Sequence, residues 1–333
     1  MVISGKSKIN SVGTYLPENI VSSVSLMEEI QSESRFGIPH NWIDTRVGII
    51  NRRYAAQDTE PSELAVKASL VALDKASIKP EYLDLIIYCG IDRNYIEPAT
   101  AHIVQRELGS RAICLDVTNA CQGIVTGLSI ADSMIANGSV ESVLICSGET
   151  PSKVVKQFIR QINRNDQDYM RDRLGMLTAG DAGSAMVLTR KEQNDLTGLQ
   201  KILFDSRGEY AEYCYYKYKG SEIEGQMLMK GITDTISQIH LQMISNCYHY
   251  LDWSPDEVDF LACHQVGKKS HQGLCEMAEV PIDKAPVTYK EYGNTTTATI
   301  PLCLDIAKPK RNDKILLIGG GSGLSSYQGG IIW

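Results

Sequence analysis

The stretch ELAVKASLVALDKASIKPEYLDLIIYC, residues 63–89, indicates the fold because a counterpart follows later in the chain. That counterpart is DTISQIHLQMISNCYHYLDWSPDEVDFLACH, residues 234–264. In both, apolar residues at helical spacing precede a proline, an acidic residue and an apolar run that is typical of a buried strand. An internal repeat of this kind predicts two copies of one α/β unit in a single molecule.

The likeness continues downstream of both stretches. A turn of small residues at 118–123 leads into the helical pattern IVTGLSIADSMIANG, and a turn at 293–297 leads into ATIPLCLDIAK. Each helix precedes an apolar strand that ends in glycine. The strand runs lack period-2 alternation, as strands buried on both faces do. These predicted strands are residues 85–88, 143–146, 260–263 and 315–318.

The repeat divides the chain into an N-terminal half, residues 1–190, and a C-terminal half, residues 195–333. Segments 151–178 and 206–228 have no counterpart, so we predict that they are insertions over a site. The second segment holds five tyrosines, which suit either a solvated loop or dimer-edge hairpin, or the lining of a ligand pocket. These tyrosines are Tyr210, Tyr213, Tyr215, Tyr216 and Tyr218.

Composition excludes several classes of protein. The apolar runs are far shorter than the roughly 20 residues that span a bilayer, and the N-terminus lacks the pattern of a signal peptide. Lys and Arg number 33 against 40 Asp and Glu, so a net charge of −7 without a basic block disfavours nucleic-acid binding. Nine cysteines with no C-x-x-C pair predict free thiols in a reducing cytoplasm and no metal site.

Three polar residues follow predicted strands or lie in the turns, where α/β folds bind ligands: Cys121, His264 and Asn294. Cys121 begins a predicted helix, where the helix dipole lowers the pKa of a thiol and favours the reactive thiolate. The cysteines inside apolar strand runs are expected to be inert core residues instead. These are Cys89, Cys146 and Cys263.

His264 ends a predicted strand, where a histidine is more often a satisfied core residue than a catalyst. Asn294 can either cap a helix or donate to an oxyanion. The glycine run at 319–323 lies too near the C-terminus to open a dinucleotide-binding unit, and we expect its backbone to pack beside the nucleophile. Taken together, these residues favour nucleophilic catalysis by Cys121.

With these residues the chain resembles the ketoacyl-ACP synthase III branch of the thiolase-like condensing enzymes. The resemblance runs from VGTYLP at 12–17 to the C-terminal glycine run. It implies a duplicated five-layer α-β-α-β-α fold and a homodimer. The motifs that carry it are WIDTRVGI at 42–49, NACQG at 119–123, GDAGSA at 180–185, HQ at 264–265, GNT at 293–295 and IP at 300–301.

The resemblance also implies a role for each site residue. Cys121 is the acylated nucleophile, His264 and Asn294 complete the triad, and the backbone N–H groups of Cys121 and Ser322 form an oxyanion hole. No cofactor is held permanently, because coenzyme A or phosphopantetheine thioesters, brought as acyl-CoA or acyl-ACP, are the substrates. The implied contacts to coenzyme A are Trp42, Arg46 and Arg173.

Two departures from the family pattern are informative. Gly267 stands where ordinary members have an asparagine, which affects one pantetheine contact. Glu97, in YIEPATA at 95–101, stands where housekeeping members have an apolar residue that reaches into the partner subunit. A glutamate there resembles the acyl-condensing synthases of olefin biosynthesis and the pyrone or dialkylresorcinol ketosynthases, in which it crosses the dimer interface as a base. A plain surface acid is the alternative.

The expected function is therefore a Claisen condensation. An acyl group on Cys121 is joined to a second acyl or 3-oxoacyl thioester, and the β-keto or diketo product can cyclise in lipid or polyketide secondary metabolism. One alternative is a decarboxylative 3-oxoacyl-ACP synthase III that uses malonyl-ACP. The others are acyl transfer to oxygen or nitrogen, and a non-catalytic partner subunit of a condensing heterodimer.

Overall fold

The computed structural model describes residues 2–220 and 222–333. The strands are β1 (Val2–Ser4), β2 (Ser7–Tyr15), β3 (Ile20–Ser22), β4 (Asn51–Arg53), β5 (Leu85–Tyr88), β6 (Ile113–Asp116), β7 (Ser142–Glu149), β8 (Ala182–Arg190), β9 (Gly198–Ser206), β10 (Cys214–Lys219), β11 (Glu222–Met227), β12 (Phe260–Cys263), β13 (Lys314–Gly321) and β14 (Ser325–Ile332). The helices are α1 (Ser23–Glu29), α2 (Ser32–Phe36), α3 (Pro61–Ala76), α4 (Thr100–Leu108), α5 (Gly123–Ala136), α6 (Ser152–Ile162), α7 (Gln167–Arg171), α8 (Met229–Leu251), α9 (Lys268–Met277), α10 (Tyr289–Tyr292) and α11 (Thr299–Ala307).

Two five-stranded sheets repeat one topology. The first has the order β2-β8-β7-β5-β6 and the second the order β1-β9-β14-β13-β12. Strands β2, β8, β7 and β5 of the first correspond to β9, β14, β13 and β12 of the second. In both sheets one equivalent pair, β5 with β7 or β12 with β13, is parallel, and the next two strands, β8 and β2 or β14 and β9, pair antiparallel. Strand β6 adds a second parallel pair to the first sheet. The predicted duplication is thus confirmed, with β6 and β1 as the unmatched edge strands.

All four predicted strands are confirmed, two with the same bounds and two inside longer strands. Their missing alternation has a direct cause. In β5, Leu85 and Ile87 face the core between the two sheets, whereas Ile86 and Tyr88 face the helices outside. A strand with apolar neighbours on both sides has no polar face to alternate with.

The elements form five layers. Helices α5 and α11 lie between the sheets and share one apolar core with both. Helices α3 and α4 cover the outer face of the first sheet, and α8 and α9 cover that of the second. The predicted five-layer α-β-α-β-α arrangement is therefore confirmed. Among the described residues, no helix is long and apolar enough to cross a lipid bilayer.

Helix α3 illustrates how local sequence sets this packing. It begins with a capping box between Glu60 and Glu63 and with Pro61 in its first turn, which together fix its start. Gly148 in β7 lets this start lie directly on the sheet, because a Cβ at Gly148 would be 1.7 Å from the Pro61 carbonyl oxygen. Any residue with a side chain at position 148 would prevent this close approach.

The two unmatched segments fold as separate additions. Residues 151–178 contain α6 and α7 and pack in their own apolar cluster with residues from 26 to 54. Residues 206–228 contain the antiparallel hairpin of β10 and β11. The chain passes from the first sheet to the second between β8 and β9, yet β1 already pairs with β9. A division into domains at 190 and 195 stays a prediction.

Candidate active site

Cys121 lies in a single helical turn, Ala120–Gln122, directly before α5. The turn starts at Ala120 with a φ of 45°, and the Asn119 amide nitrogen donates to the Thr126 hydroxyl at 3.0 Å, which ties the turn to the helix. Cys121 is half-buried and lines a cavity. The turn therefore presents the thiol at a helix N-terminus, as the sequence predicted.

The electrostatics of this thiol differ from the expectation. Burial raises the pKa of Cys121, and a hydrogen bond from its own backbone N–H only partly opposes this effect. The helix dipole was expected to lower the pKa. Desolvation outweighs it in the free chain because the charged thiolate would be held away from water. The resting group is consequently a neutral thiol.

His264 follows β12 and lines the same cavity. Its side chain is 8% exposed, and burial lowers its pKa to about 4, so the imidazole is neutral near neutral pH. Its Nδ1 has no hydrogen-bond partner in the described part of the chain. A satisfied core histidine would have one, so the structure favours a ring that is free to act.

Asn294 also lines the cavity, and its hydrogen bonds fix which way its amide points. Its Oδ1 accepts from the Thr296 backbone N–H at 2.9 Å, while its backbone N–H donates to the Thr178 oxygen at 2.9 Å. Because the N–H of Thr296 requires an acceptor, the Nδ2 group is the one left for the cavity. Asn294 therefore offers a neutral donor there.

The glycine run at 319–323 packs beside Cys121, as predicted, and also beside His264. A Cβ at Gly321 would lie 3.0 Å from the Cys121 backbone nitrogen, and a Cβ at Gly319 would lie 2.8 Å from the His264 Cβ. Ser322 follows β13 and lines the cavity. At the end of β13, backbone without side chains therefore packs against the turn that holds Cys121. A side chain at Gly321 would push the strand and this turn apart.

The cavity has a volume of about 540 Å³ and runs between α8 and α9. This is within the range of roughly 300–1,000 Å³ typical of small-molecule sites. Its walls are mainly apolar, with Ile236 and Leu241 on α8 and Leu274 and Met277 on α9. Cys214 and Met227 of the β10–β11 hairpin also line it, so this hairpin forms part of the pocket.

A second cavity of about 440 Å³ adjoins the first, and Met227 lines both. Of the three predicted coenzyme A contacts, Trp42 lines this cavity. Arg46 is exposed and lines neither cavity, and the Arg173 guanidinium lies 3.6 Å from the centre of the Tyr169 ring. The cations that line the second cavity are Arg171 and Lys230.

Gly267 has a steric reason for its departure from the family pattern. It holds a φ of 150°, and a Cβ there would lie 2.6 Å from Val47 Cγ1 and 2.8 Å from the Val47 carbonyl oxygen. An asparagine at this position would therefore require the backbone near Val47 to shift. Gly267 has no side chain with which to make the pantetheine contact that the family resemblance implies for an asparagine at this position.

Glu97 is exposed and does not line the cavity of its own chain. It lies in the loop between β5 and α4, which is anchored at several points. The Tyr88 hydroxyl donates to the Asp92 carbonyl oxygen at 2.6 Å, and the Asn94 side chain exchanges hydrogen bonds with Ser62 at 2.9 and 3.1 Å. A tethered loop thus holds Glu97 outward.

Sequence reasoning missed a buried acid that lies near enough to Cys121 to affect the pKa of its thiol. Glu149 ends β7, and its Oε1 accepts from the Thr297 hydroxyl and, at 3.1 Å, from the Ile91 backbone N–H. Burial first, and the charge of Asp92 second, raise the pKa of Glu149 to about 8. The available signal was the one charged residue that closes the apolar run SVLICSGE. Within residues 2–220 and 222–333, no cluster of potential metal ligands occurs.

Comparison with known proteins agrees with this geometry. The family model of the 3-oxoacyl-[acyl-carrier-protein] synthase III matches residues 115–206, and that of its C-terminal part matches residues 249–332. The β-ketoacyl-[acyl-carrier-protein] synthase III of Aquifex aeolicus is 31% identical over 328 residues, which cover 96% of this chain and 97% of that protein. The chain belongs to the 3-oxoacyl-ACP synthase III family.

Other members and solved structures support this assignment. A β-ketoacyl-ACP synthase III of Halalkalibacterium halodurans is 28% identical over 96% of both chains. A glutamate-to-glutamine variant of Xanthomonas campestris OleA superposes with a TM-score of 0.92 at 25% identity, over 99% of this chain and 98% of that one. A cysteine-to-serine variant of OleA, with bound lauric acid and lauroyl-CoA, has a TM-score of 0.91 over 98% of this chain and 99% of that one.

Membership in the 3-oxoacyl-ACP synthase III family determines the class of reaction. The chain has the thiolase-like fold and is an acyltransferase of the condensing type, which forms carbon–carbon bonds. Acyl transfer to oxygen or nitrogen is therefore set aside.

Proposed function

We propose that this ketosynthase acylates Cys121 from an acyl thioester and joins that acyl group to a second acyl or 3-oxoacyl thioester by Claisen condensation. The supporting observation is that Cys121, His264 and Asn294 line one otherwise largely apolar cavity. The product is a β-keto or diketo thioester, which can cyclise to a pyrone-type ring or serve as an olefin-type precursor.

In the first step, the sulfur of Cys121 attacks the thioester carbonyl carbon and the thiol proton passes to His264. A neutral imidazole is needed for this, and burial keeps His264 neutral. The backbone N–H groups of Cys121 and Ser322 hold the tetrahedral oxyanion. Collapse expels the coenzyme A or phosphopantetheine thiolate, which takes up the proton from His264. An acyl-enzyme and a free thiol result.

In the second step, a base removes a Cα proton from the second thioester. The Asn294 amide and the neutral His264 ring donate to the enolate oxygen. The enolate carbon attacks the carbonyl carbon of the Cys121 thioester, a new carbon–carbon bond forms, and the carbon–sulfur bond to Cys121 breaks. The leaving Cys121 thiolate takes up the proton that the base removed, which restores both groups. Without loss of carbon dioxide this step requires a strong, positioned base, and a carboxylate in a partly desolvated site suits that role.

We assign that base to the partner subunit's Glu97, in a homodimer. Within one chain Glu97 is exposed and lines neither cavity. The two residues before it, Tyr95 and Ile96, are 58% and 100% exposed, which is unusual for apolar side chains on an anchored loop. A second copy of the chain is the partner that a symmetric dimer provides. It would cover this loop tip and receive Glu97 in its own cavity.

The substrates proposed for this site are fatty acyl thioesters. The OleA variant that superposes on nearly the whole chain contains lauric acid and lauroyl-CoA. In this chain we place the acyl group in the cavity between α8 and α9, and the coenzyme A or phosphopantetheine end toward the second cavity. Trp42, Arg171 and Lys230 line that second cavity. Arg46 and Arg173 would contact it only after a rearrangement of their side chains.

Mixed dimers test the role of Glu97. We expect Glu97→Gln to accept an acyl group on Cys121 but to form no condensed product, and Cys121→Ala to do neither. Co-expression of the two variants yields dimers in which one site has both groups, and about a quarter of the wild-type turnover should return. Intact-mass and product analysis provide the readout. Unimpaired turnover of Glu97→Gln alone, or no recovery on mixing, would exclude this base.

The decarboxylative synthase is the second candidate, favoured by the names of the relatives that are 28–31% identical. A strict need for malonyl-ACP, with release of carbon dioxide, would decide for it. A non-catalytic partner subunit is disfavoured because Cys121, His264 and Asn294 are all retained around one cavity. That alternative predicts that Cys121 is acylated only when another protein is added.

A further inference from the structure

A second group of buried polar side chains lies beneath α8 and has no part in the steps above. His240 belongs to α8, while Ser326 and Gln328 lie two residues apart on β14 and so face the same side of the sheet. The Gln328 amide nitrogen lies 3.2 Å from His240 Nδ1 and donates to the His240 carbonyl oxygen at 3.0 Å. These contacts show that this face of β14 is turned toward α8.

Each of these three residues keeps one polar atom without a partner in the described part of the chain. The atoms are His240 Nε2, Ser326 Oγ and Gln328 Oε1. His240 is only 1% exposed, and the other two are also buried. A buried polar atom without a partner costs about 1–3 kcal/mol. Three such atoms in one group are available to a polar group from outside the chain.

The group borders the cavity that contains Cys121. His240 and Ile236, one helical turn apart on α8, both line it, and so does Gly320. A Cβ at Gly320 would lie 3.3 Å from Ser326 Oγ and 3.3 Å from Ile236 Cδ1, so Ser326 lies directly behind the cavity wall. The next residue, Gly321, adjoins the backbone of Cys121. The polar group is thus close to the reacting thiol.

The available atoms suit one chemical class of ligand. The Gln328 amide nitrogen faces His240 Nδ1, so Nδ1 accepts and the ring proton lies on Nε2. Burial keeps this ring neutral by lowering its pKa to about 4. His240 Nε2–H and the Ser326 hydroxyl are then two donors for one oxygen, and Gln328 Oε1 can accept from a hydroxyl. The neighbouring wall residues, Ile236 and Leu241, are apolar.

We propose that His240 and Ser326 bind an oxygen atom carried on the acyl chain, namely the keto or hydroxyl oxygen of a 3-oxoacyl or 3-hydroxyacyl thioester. This inference rests on the proposed function, since it makes the oxygenated chain one of the two substrates. His240 would then determine the preference of the site for oxygenated over saturated acyl chains.

Thioester binding to the Cys121→Ala variant tests the proposal, because no acyl group can be transferred to the enzyme there. Dissociation constants are measured by calorimetry for a 3-oxoacyl-CoA, a 3-hydroxyacyl-CoA and the saturated acyl-CoA of equal length. We expect His240→Leu to weaken binding of the two oxygenated thioesters about tenfold relative to the saturated one. Ser326→Ala should act in the same direction and keeps the test valid if His240→Leu does not fold.

The matched control is His271→Leu. His271 on α9 is likewise buried, but it does not line the cavity. The preference should not change in this control. Equal weakening of all three thioesters would overturn the proposal, because it would assign the contact to the pantetheine arm. No change in any would overturn it too. Failure of the Glu97 assignment, by contrast, appears only in condensation.

Discussion

The two helical turns that precede α5 and α11 are structural counterparts, yet one holds the proposed nucleophile and the other does not. Ala120–Gln122 and Thr296–Ala298 each begin with a residue at positive φ, 45° at Ala120 and 50° at Thr296. The next residue is Cys121 in the first turn and Thr297 in the second. Cys121 follows the end of β5, and Thr297 follows the end of the equivalent strand β12, by similar lengths of chain. The backbone conformation of the turn alone therefore does not create a reactive site.

The difference comes from the strand end that faces each turn. Strands β7 and β13 are equivalent, and each is eight residues long, so Glu149 of one corresponds to Gly321 of the other. Cys121 faces Gly321, whose missing side chain leaves the backbone open. Thr297 donates a hydrogen bond to Glu149, and both are buried. One turn is accessible to a substrate, and the other is closed by a hydrogen bond.

The first prediction compares the two turns directly. We expect Cys121→Ser to accept no acyl group, because its hydroxyl is a much weaker nucleophile than a thiol. Thr297→Ser keeps the hydroxyl that donates to Glu149 and should be acylated normally, as should Cys89→Ser in the buried strand end. Intact-mass analysis with an acyl-CoA measures all three. An acylated Cys121→Ser would show that the two turns do not differ in this way.

The second prediction adds a side chain where the accessible turn has none. Gly321→Ala would place a Cβ 3.0 Å from the Cys121 nitrogen, so the turn or the strand must shift. Since one oxyanion donor is worth about 10²–10³ in rate, acylation should slow by a factor of that order. Gly208→Ala is the control, because nothing lies within 4 Å of its added Cβ. Equal rates for the two variants would refute the role of Gly321.

The third prediction concerns the closed turn and affects stability, not acylation. In the folded chain the pKa of Glu149 is about 8, whereas its ordinary value is 4.5. Between these two pH values the folded chain therefore holds a proton on Glu149 that the unfolded chain releases. Its contribution to stability is therefore complete below about pH 4.5 and is lost as the pH rises through 8. Glu149→Gln cannot titrate. Its free energy of unfolding, relative to wild type, should rise across this window in denaturant titrations at several pH values. A constant difference would contradict the raised pKa.

Local pattern was sufficient to predict much of the fold and the position of Cys121 at the start of a helix. The apolar runs at 85–88 and 260–263 are strands with the predicted bounds, because burial on both faces leaves a clear signal in the sequence. Cys121 was recognisable from its small-residue turn alone. The low solvent exposure that raises its pKa depends on the whole fold, and for that reason the expected lowering by the helix was outweighed.

Other features depend on contacts that sequence spacing cannot reveal. The spacing after His264 suggested the turn at Asn294 as the counterpart of the nucleophile turn, whereas backbone conformation identifies Thr297 as the residue equivalent to Cys121. The hydrogen bond between Thr297 and Glu149 joins residues 148 positions apart. The interface role of Glu97 stays a prediction, because it depends on a second chain.

The pairing of β1 with β9 has a consequence for synthesis on the ribosome. Residues 2–4 pair with residues 201–203, so β1 cannot form its hydrogen bonds until almost two-thirds of the chain has been synthesised. At about 5–20 residues per second, that wait is roughly 10–40 s. The inner face of the first sheet, with α5, is covered only when β13 and β14 arrive at the very end. Until α11, β13 and β14 have emerged, the nascent chain therefore keeps apolar residues of its first half exposed to solvent.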